Sequence, residues 1–78
     1  QYADRLGTLS PHEIAVYRGI LDHKTSRELA EEMSNSTRTV EIHRANVFKK
    51  MHATSAVELA QNHERYQMIN ALKTKVSS

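Results

Sequence analysis

The chain has 78 residues, enough for one small domain near the lower size limit for a self-sufficient hydrophobic core. It has no cysteine, a net charge of +2 and 38% hydrophobic residues, so it has no disulfide framework and no thiolate metal site. No apolar run is long enough for a membrane span or a secretion signal, and the absence of cysteine suits the cytoplasm. Because the first residue is Gln1 rather than Met, we expect a fragment of a longer protein.

Helix start signals recur along the chain. Ser10–Glu13 is a predicted capping box with proline at the first helical position, where the missing N–H costs nothing. The same pattern recurs at Thr25–Glu28 and at Ser55–Glu58, and Ser36 is a good N-cap without the matching glutamate. These signals predict four helices: Pro11–Leu21, Ser26–Ser34, Thr37–His52 and Ala56 onward.

The apolar residues of these segments recur at helical spacing. Those predicted to share one face of the first helix are Ile14, Tyr17, Ile20 and Leu21, and those of the second are Leu29, Ala30 and Met33. The short connection around residues 34–36 makes the second and third helices a helix-turn-helix unit. We therefore predict an all-α fold, a compact four-helix domain containing a helix-turn-helix, with a C-terminal helical extension.

The third predicted helix has an unusual outer face. At about 100° per residue, Val40, Val47 and Met51 fall on one line that we predict to be core, with His43 and Phe48 at its margins. The opposite face carries Glu41, Ile42, Ala45, Asn46 and Lys49. Small and apolar side chains on an open surface suit the floor of a DNA groove, where they contact thymine methyl groups while asparagine reads adenine.

Other interpretations of this face stay open on the pattern alone. A basic helix face is most often only solvated, and Ile42 and Ala45 are equally suited to contact a partner protein. The alternative function is therefore a helical protein-interaction module that uses Ile42, Ala45 and the C-terminal tail. Catalysis has no support, and the five histidines have no metal-ligand spacing. We expect no enzyme activity, no metal site and no cofactor.

Three motifs together resemble the LuxR/FixJ-type C-terminal effector domain of bacterial transcription regulators. They are Leu9–Glu13, Thr25–Ala30 and Arg38–Met51. The last one, with the sequence TVEIHRANVFKKM, is especially similar to the FixJ branch of two-component response regulators. The resemblance implies sequence-specific binding of double-stranded DNA by the output domain of a transcription regulator. Its third helix, about residues 37–52 here, would lie in the major groove.

The residue pattern and the resemblance together predict three groups of contact residues. Those facing DNA bases are Thr39, Glu41, Ile42, Ala45, Asn46 and Lys49. Those contacting the DNA backbone are Thr25, Ser36, Thr37, Arg38, Arg44 and Lys50. Those pairing two domains in a dimer on DNA are Val57, Ala60, Asn62 and His63.

The resemblance also implies an N-terminal phospho-receiver domain that this chain lacks. Residues 1–8 are then a remnant of the interdomain linker, residues 9–65 the DNA-binding domain and residues 66–78 a C-terminal extension. The apolar residues of the fourth helix and the extension predict a dimer seam: Val57, Leu59, Ala60, Met68, Ile69, Leu72 and Val76. The alternative is a frayed terminus, because Asn62, Asn70 and the closing residues 73–78 are poor helix formers. The expected partners are double-stranded DNA, a second copy, the receiver domain and RNA polymerase, and no membrane.

The sequence departs from the family at several helix ends. His23, Ser34 and His52 stand where family members commonly have glycine. If their backbone is left-handed, each costs on the order of 1 kcal/mol. Asn35 replaces an apolar residue at the turn, so we expect a looser or more exposed turn.

Glu13 has two interpretations. Its side chain either serves the predicted cap alone or also reaches a basic residue of the third helix, such as Arg44.

Overall fold

The computed structural model describes the backbone of residues 2–77 and the side chains of residues 2–72. Its helices are α1 (Tyr2–Leu6), α2 (Pro11–Leu21), α3 (Ser26–Glu32), α4 (Thr37–Lys50) and α5 (Ala56–Ser77). No strand occurs in residues 2–77, so the predicted all-α class and the helix-turn-helix of α3 and α4 are confirmed. Helices α3 and α4 end two residues before their predicted ends, and α1 was not predicted.

The predicted caps fix where the helices begin. The hydroxyl of Ser10 accepts from the N–H of Glu13 at 3.2 Å, and the Glu13 carboxylate accepts from the N–H of Ser10 at 2.9 Å. The box at Thr25–Glu28 is closed in the same way, at 3.1 and 3.0 Å. At the start of α4 the hydroxyl of Ser36 accepts from the N–H of Thr39 at 3.1 Å. These bonds satisfy amides that the first turn of a helix leaves without a partner.

The start of α5 differs from the prediction in one bond. The hydroxyl of Ser55 accepts from the N–H of Glu58 at 3.1 Å, as a capping box requires. The Glu58 carboxylate, however, accepts from the hydroxyl of Thr54 at 2.9 Å. The reciprocal half of the predicted box is therefore wrong, because a neighbouring hydroxyl supplies the donor.

Helices α2, α3 and α4 end in the same way, in Schellman motifs. In α3 the N–H of Asn35 donates to the carbonyl of Ala30 at 2.8 Å, and the N–H of Ser34 donates to that of Glu31 at 3.3 Å. Equivalent pairs of bonds close α2 and α4. The residue after each cap is left-handed, with φ of 62° at His23, 53° at Ser34 and 54° at His52. The backbone thus has the conformation that favours glycine at all three non-glycine positions.

The core lies where α4 packs against α2 and α3. The three residues predicted for the inner line of α4, Val40, Val47 and Met51, are each 0% exposed. The other buried apolar residues are Leu9, Val16, Tyr17, Ile20, Leu29, Ala30, Ala53 and Leu59. Helix α4 is held from two sides, so its rotation about its own axis is fixed.

Helix α2 departs from the predicted face at one residue. Ile14 is 36% exposed rather than buried. The buried side of α2 is centred on Val16 and Ile20, and at about 100° per residue Ile14 lies about 160° from Val16 and about 120° from Ile20, on the outer side of the helix. Gly19 allows the close approach of α2 to α3, because a Cβ added there would lie 2.2 Å from a methyl carbon of Leu29.

The N-terminal helix α1 packs against α2 and the middle of α5. Residues 2–6, predicted to belong to a linker, form α1, and the Tyr2 hydroxyl is hydrogen-bonded to that of Tyr17. The rings of Tyr2 and Tyr66 are 4.8 Å apart, so α1 contacts α5. Helix α5 continues unbroken through residues 65 and 66, where the extension was predicted to begin. The side chain of Val76 lies outside the described residues.

We predict that glycine at the three left-handed positions stabilises the domain. Each of His23→Gly, Ser34→Gly and His52→Gly should raise the free energy of unfolding by about 0.5–1 kcal/mol, since the steric strain at positive φ is removed. Urea unfolding followed by circular dichroism measures the change. The matched control is Glu31→Gly. Glu31 is exposed and lies inside α3, so this substitution should lower the free energy of unfolding by about 1 kcal/mol. If all three substitutions lower the free energy of unfolding, the residues at these positions are not strained and the prediction is wrong.

Candidate nucleic-acid interface

The outer face of α4 is an open surface of mixed chemistry. Because Val40, Val47 and Met51 are buried, the opposite side of the helix is turned to solvent. Ile42 is 54% exposed, so more than half of this large apolar side chain is open to solvent. We define the outer face as the exposed residues Glu41, Ile42, Ala45, Asn46 and Lys49. These are five of the six residues predicted to face DNA bases.

The sixth predicted residue, Thr39, belongs to the first turn of α4. It is half-buried, and its hydroxyl is hydrogen-bonded to that of Ser36 at 2.8 Å. Thr37 and Arg38 are exposed in the same turn, which contains no acidic residue. The N-terminus of a helix attracts anions through its N–H groups and its dipole. This end of α4 can therefore hold a phosphate, with Thr37 and Arg38 beside it.

Two of the predicted backbone-contacting cations are engaged inside the domain. The guanidinium of Arg44 lies 5.5 Å from the centre of the Phe48 ring, a cation–π contact. The ammonium of Lys50 donates to the carboxylate of Glu13 at 2.7 Å and to the carbonyl of Thr8 at 3.3 Å. Glu13 therefore does reach the helix after the turn, but its partner is Lys50 and not Arg44. Thr25 is exposed at the start of α3, where its hydroxyl caps the helix.

The ion pair between Glu13 and Lys50 joins the beginning of α2 to the end of α4. Glu13 is 5% exposed and accepts hydrogen bonds from Lys50 and from the N–H of Ser10. The bond from Lys50 and then the backbone bond of Ser10 lower the pKa of the Glu13 carboxyl. A carboxyl whose pKa is lower in the folded state stabilises the fold above its unfolded-state pKa and loses that contribution as the pH falls.

The histidines do not form a metal centre in the part of the chain that the structure describes. His43 is half-buried, and its ring stacks on that of His12 with the centres 5.7 Å apart. This contact joins α2 to α4 and agrees with a structural role for His43. Among the described residues, no group of three or more His, Cys, Asp and Glu side chains is placed to hold a metal ion.

The four residues predicted for the dimer do not share one face of α5. Val57 is 66% exposed, and Ala60 is half-buried beside it. The ring nitrogen Nδ1 of His63 lies 2.9 Å from the hydroxyl of Tyr17. Asn62 lines a groove against α1. The last two residues therefore face the rest of their own domain.

Within the described residues, no helix is both long and apolar enough to cross a membrane.

Comparison with known proteins gives consistent results. The family model of bacterial regulatory proteins, luxR family, matches residues 7–62. The transcriptional regulatory protein FixJ of Bradyrhizobium diazoefficiens is 40% identical over 68 residues, which are 87% of this chain and 33% of that protein. The DNA-binding transcriptional activator EvgA of Escherichia coli K12 is 36% identical over 55 residues, 70% of this chain and 27% of that protein.

A solved structure has the same arrangement of helices. The crystal structure of full-length FixJ from B. japonicum matches 86% of this chain and 33% of its own, with 39% identity and a TM-score of 0.78. The chain thus spans about a third of these FixJ proteins.

We predict that the Glu13–Lys50 pair makes stability depend on pH in the acid range. Glu13→Gln keeps a side chain that can cap α2 but removes the charge, and should lower the free energy of unfolding at neutral pH by about 1 kcal/mol. The difference from the parent should shrink as the pH falls from the unfolded-state pKa of glutamate, about 4.3, through the lower folded-state pKa, because the parent carboxyl becomes protonated over that range.

The control is a double-mutant cycle with Lys50→Met, measured by urea unfolding at each pH. If the two substitutions are additive at neutral pH, the pair contributes no coupling and the prediction fails.

Proposed function

Since the chain belongs to the luxR family of bacterial regulatory proteins, we propose that it binds specific double-stranded DNA sequences as the output domain of a transcription regulator, with α4 in the major groove. The observation that carries the placement of α4 is its outer face, which is open to solvent although it contains Ile42 and Ala45. A major groove admits one α-helix, and α4 is a helix of 14 residues with one side open to solvent. The chain acts in the bacterial cytoplasm, where the chromosome is.

Each residue of the outer face has a chemical counterpart on the base edges. Ala45 lets the helix approach closely, and Ile42 contacts the methyl group of thymine. The amide of Asn46 matches the donor and acceptor of adenine, and Lys49 donates to guanine. Glu41 accepts from the amino group of cytosine. Thr37 and Arg38 at the helix start hold the backbone phosphates and fix the register.

A protein-interaction module that uses Ile42 and Ala45 is not favoured. The family is one of regulatory proteins, and the exposed rim of α4 carries Arg38 and Lys49 against one acid, Glu41. Binding to phosphates weakens steeply as the salt concentration rises, whereas an apolar protein interface barely responds. A salt series therefore separates the two functions.

The proposal for the longer protein rests on the FixJ proteins, of which this chain spans about a third. A receiver domain precedes residues 1–8 and controls the output domain. RNA polymerase is the partner through which the bound regulator acts on transcription. Helix α1 then follows the receiver domain in the sequence.

The outward side of α5 is the proposed dimer surface. Val57 and Met68 are each 66% exposed and Leu72 is 59% exposed. Together with Gln61 and Glu64, these three residues form a stripe along α5 in which a residue recurs every three or four positions. This is the spacing found where two helices pair. Two copies related by a two-fold axis through this stripe place their α4 helices about one DNA turn apart, so the operator has two related half-sites.

We predict that α4 side chains determine the affinity for DNA. Asn46→Ala and Lys49→Ala should each weaken binding by about 1–3 kcal/mol, roughly ten- to a hundred-fold, because each removes a contact to bases. The Asn46 variant should also relax the base preference. Fluorescence anisotropy with a duplex selected from a random DNA pool measures the affinity at constant salt.

The matched controls are Arg18→Ala on α2 and Gln67→Ala on α5, which are exposed and lie outside α4. They should bind like the parent, and circular dichroism should be native for all four variants. Parent-like binding of both α4 variants would show that α4 is not in the groove.

We predict that Val57→Lys and Met68→Lys reduce cooperative binding to a paired site and leave binding to one half-site nearly unchanged. Both residues are exposed, so the added charge opposes pairing of α5 helices without disturbing the core. Gln67→Lys adds the same charge outside the stripe and is the control. Mobility-shift titrations on one-site and two-site duplexes measure the cooperativity, and unchanged cooperativity in both variants would remove α5 from the dimer.

A further inference from the structure

A groove lies between α1 and the middle of α5. It encloses about 340 Å³ and is lined by Tyr2, Arg5, Asn62, Arg65, Tyr66 and Ile69, among others. None of the residues lining it belongs to α4, so the groove takes no part in the proposed contact with DNA bases. Its volume lies at the lower end of the range that is usual for ligand-binding pockets in proteins.

The floor of the groove is made rigid by a chain of aromatic contacts. The Tyr2 ring lies 4.8 Å from that of Tyr66, and the Tyr2 hydroxyl is hydrogen-bonded to that of Tyr17. Tyr17 is 4% exposed and lies within hydrogen-bond distance of His63. These contacts hold α1 against α5, so the groove is formed before any ligand arrives. A preformed site lowers the entropic cost of binding.

The charged side chains that line the groove in the described part of the chain, Arg5 and Arg65, are both positive. Burial raises the pKa of the Tyr2 phenol, so Tyr2 adds no negative charge to the groove. Ile69 is 46% exposed and supplies an apolar wall. The groove thus joins two cations with an aromatic and aliphatic surface.

We propose that this groove docks an acidic segment of a partner protein, with its carboxylates on Arg5 and Arg65 and a large apolar side chain on Tyr66 and Ile69. Arginine binds carboxylates through paired hydrogen bonds, and tyrosine and arginine are the residue types that dominate protein interfaces. DNA phosphates match the two arginines but leave the apolar wall uncovered, so a peptide fits the groove better than a duplex. The chain then carries two separate binding surfaces, α4 for DNA and the α1–α5 groove for a protein.

The tyrosines provide a direct measurement of groove occupancy. The chain has three tyrosines and no tryptophan, and all three tyrosines lie in this cluster. The chain is titrated with a short synthetic peptide of glutamates around a single phenylalanine, and tyrosine emission is followed. The control peptide has lysine in place of each glutamate. We expect saturable binding of the acidic peptide, with no binding of the basic one.

The double variant Arg5→Glu/Arg65→Glu should lower the affinity for the acidic peptide by about ten-fold or more. Its circular dichroism and its half-site DNA binding should stay like those of the parent. Arg18→Glu, an exposed charge reversal on α2, should bind the peptide like the parent. Equal binding of both peptides, or no effect of the double variant on peptide binding, would overturn the proposal. So would a loss of half-site DNA binding in the double variant, since the arginines would then be phosphate contacts. Loss of self-association in that variant would assign the groove to a second copy and also overturn the proposal.

Discussion

One side of α4 packs against α2 and α3, and this packing determines which residues of the helix reach solvent. Val40, Val47 and Met51 have no exposed surface, and burial of such side chains contributes about 1.5–3 kcal/mol each. Once these three are buried, the rotation of α4 is fixed and Ile42 and Ala45 are turned to solvent. The surface that we propose contacts DNA is thus determined by the residues on the other side of the same helix.

The ends of α4 complete this positioning at some cost in stability. Ser36 caps the beginning, and the Lys50–Glu13 pair joins the end to the start of α2. Helices α3 and α4 are each followed by a left-handed residue that is not glycine, Ser34 and His52. The domain tolerates this strain because the caps and the core offset it. Lys50 consequently has a structural partner besides any phosphate it contacts.

Local signals in the sequence predict much of this fold. The caps at Ser10, Thr25 and Ser36 identify where α2, α3 and α4 begin, because capping depends on residues only a few positions apart. The apolar line of α4 identifies its buried side for the same reason. The contact of Tyr2 with Tyr17 and that of Tyr17 with His63 join residues 15 and 46 positions apart, so no local pattern indicates them. The docking of α1 and its groove follow from these contacts and appear only in three dimensions.

Nuclear Overhauser effects in a complex with a selected duplex can show whether the outer face of α4 contacts base edges. We expect intermolecular effects from the methyl groups of Ile42 and Ala45 to protons in the major groove, including thymine methyls. The methyl groups of Ile69 and Leu72 on α5 should give none. Effects from the α5 methyl groups alone, with none from those of α4, would show that α4 does not lie in the groove.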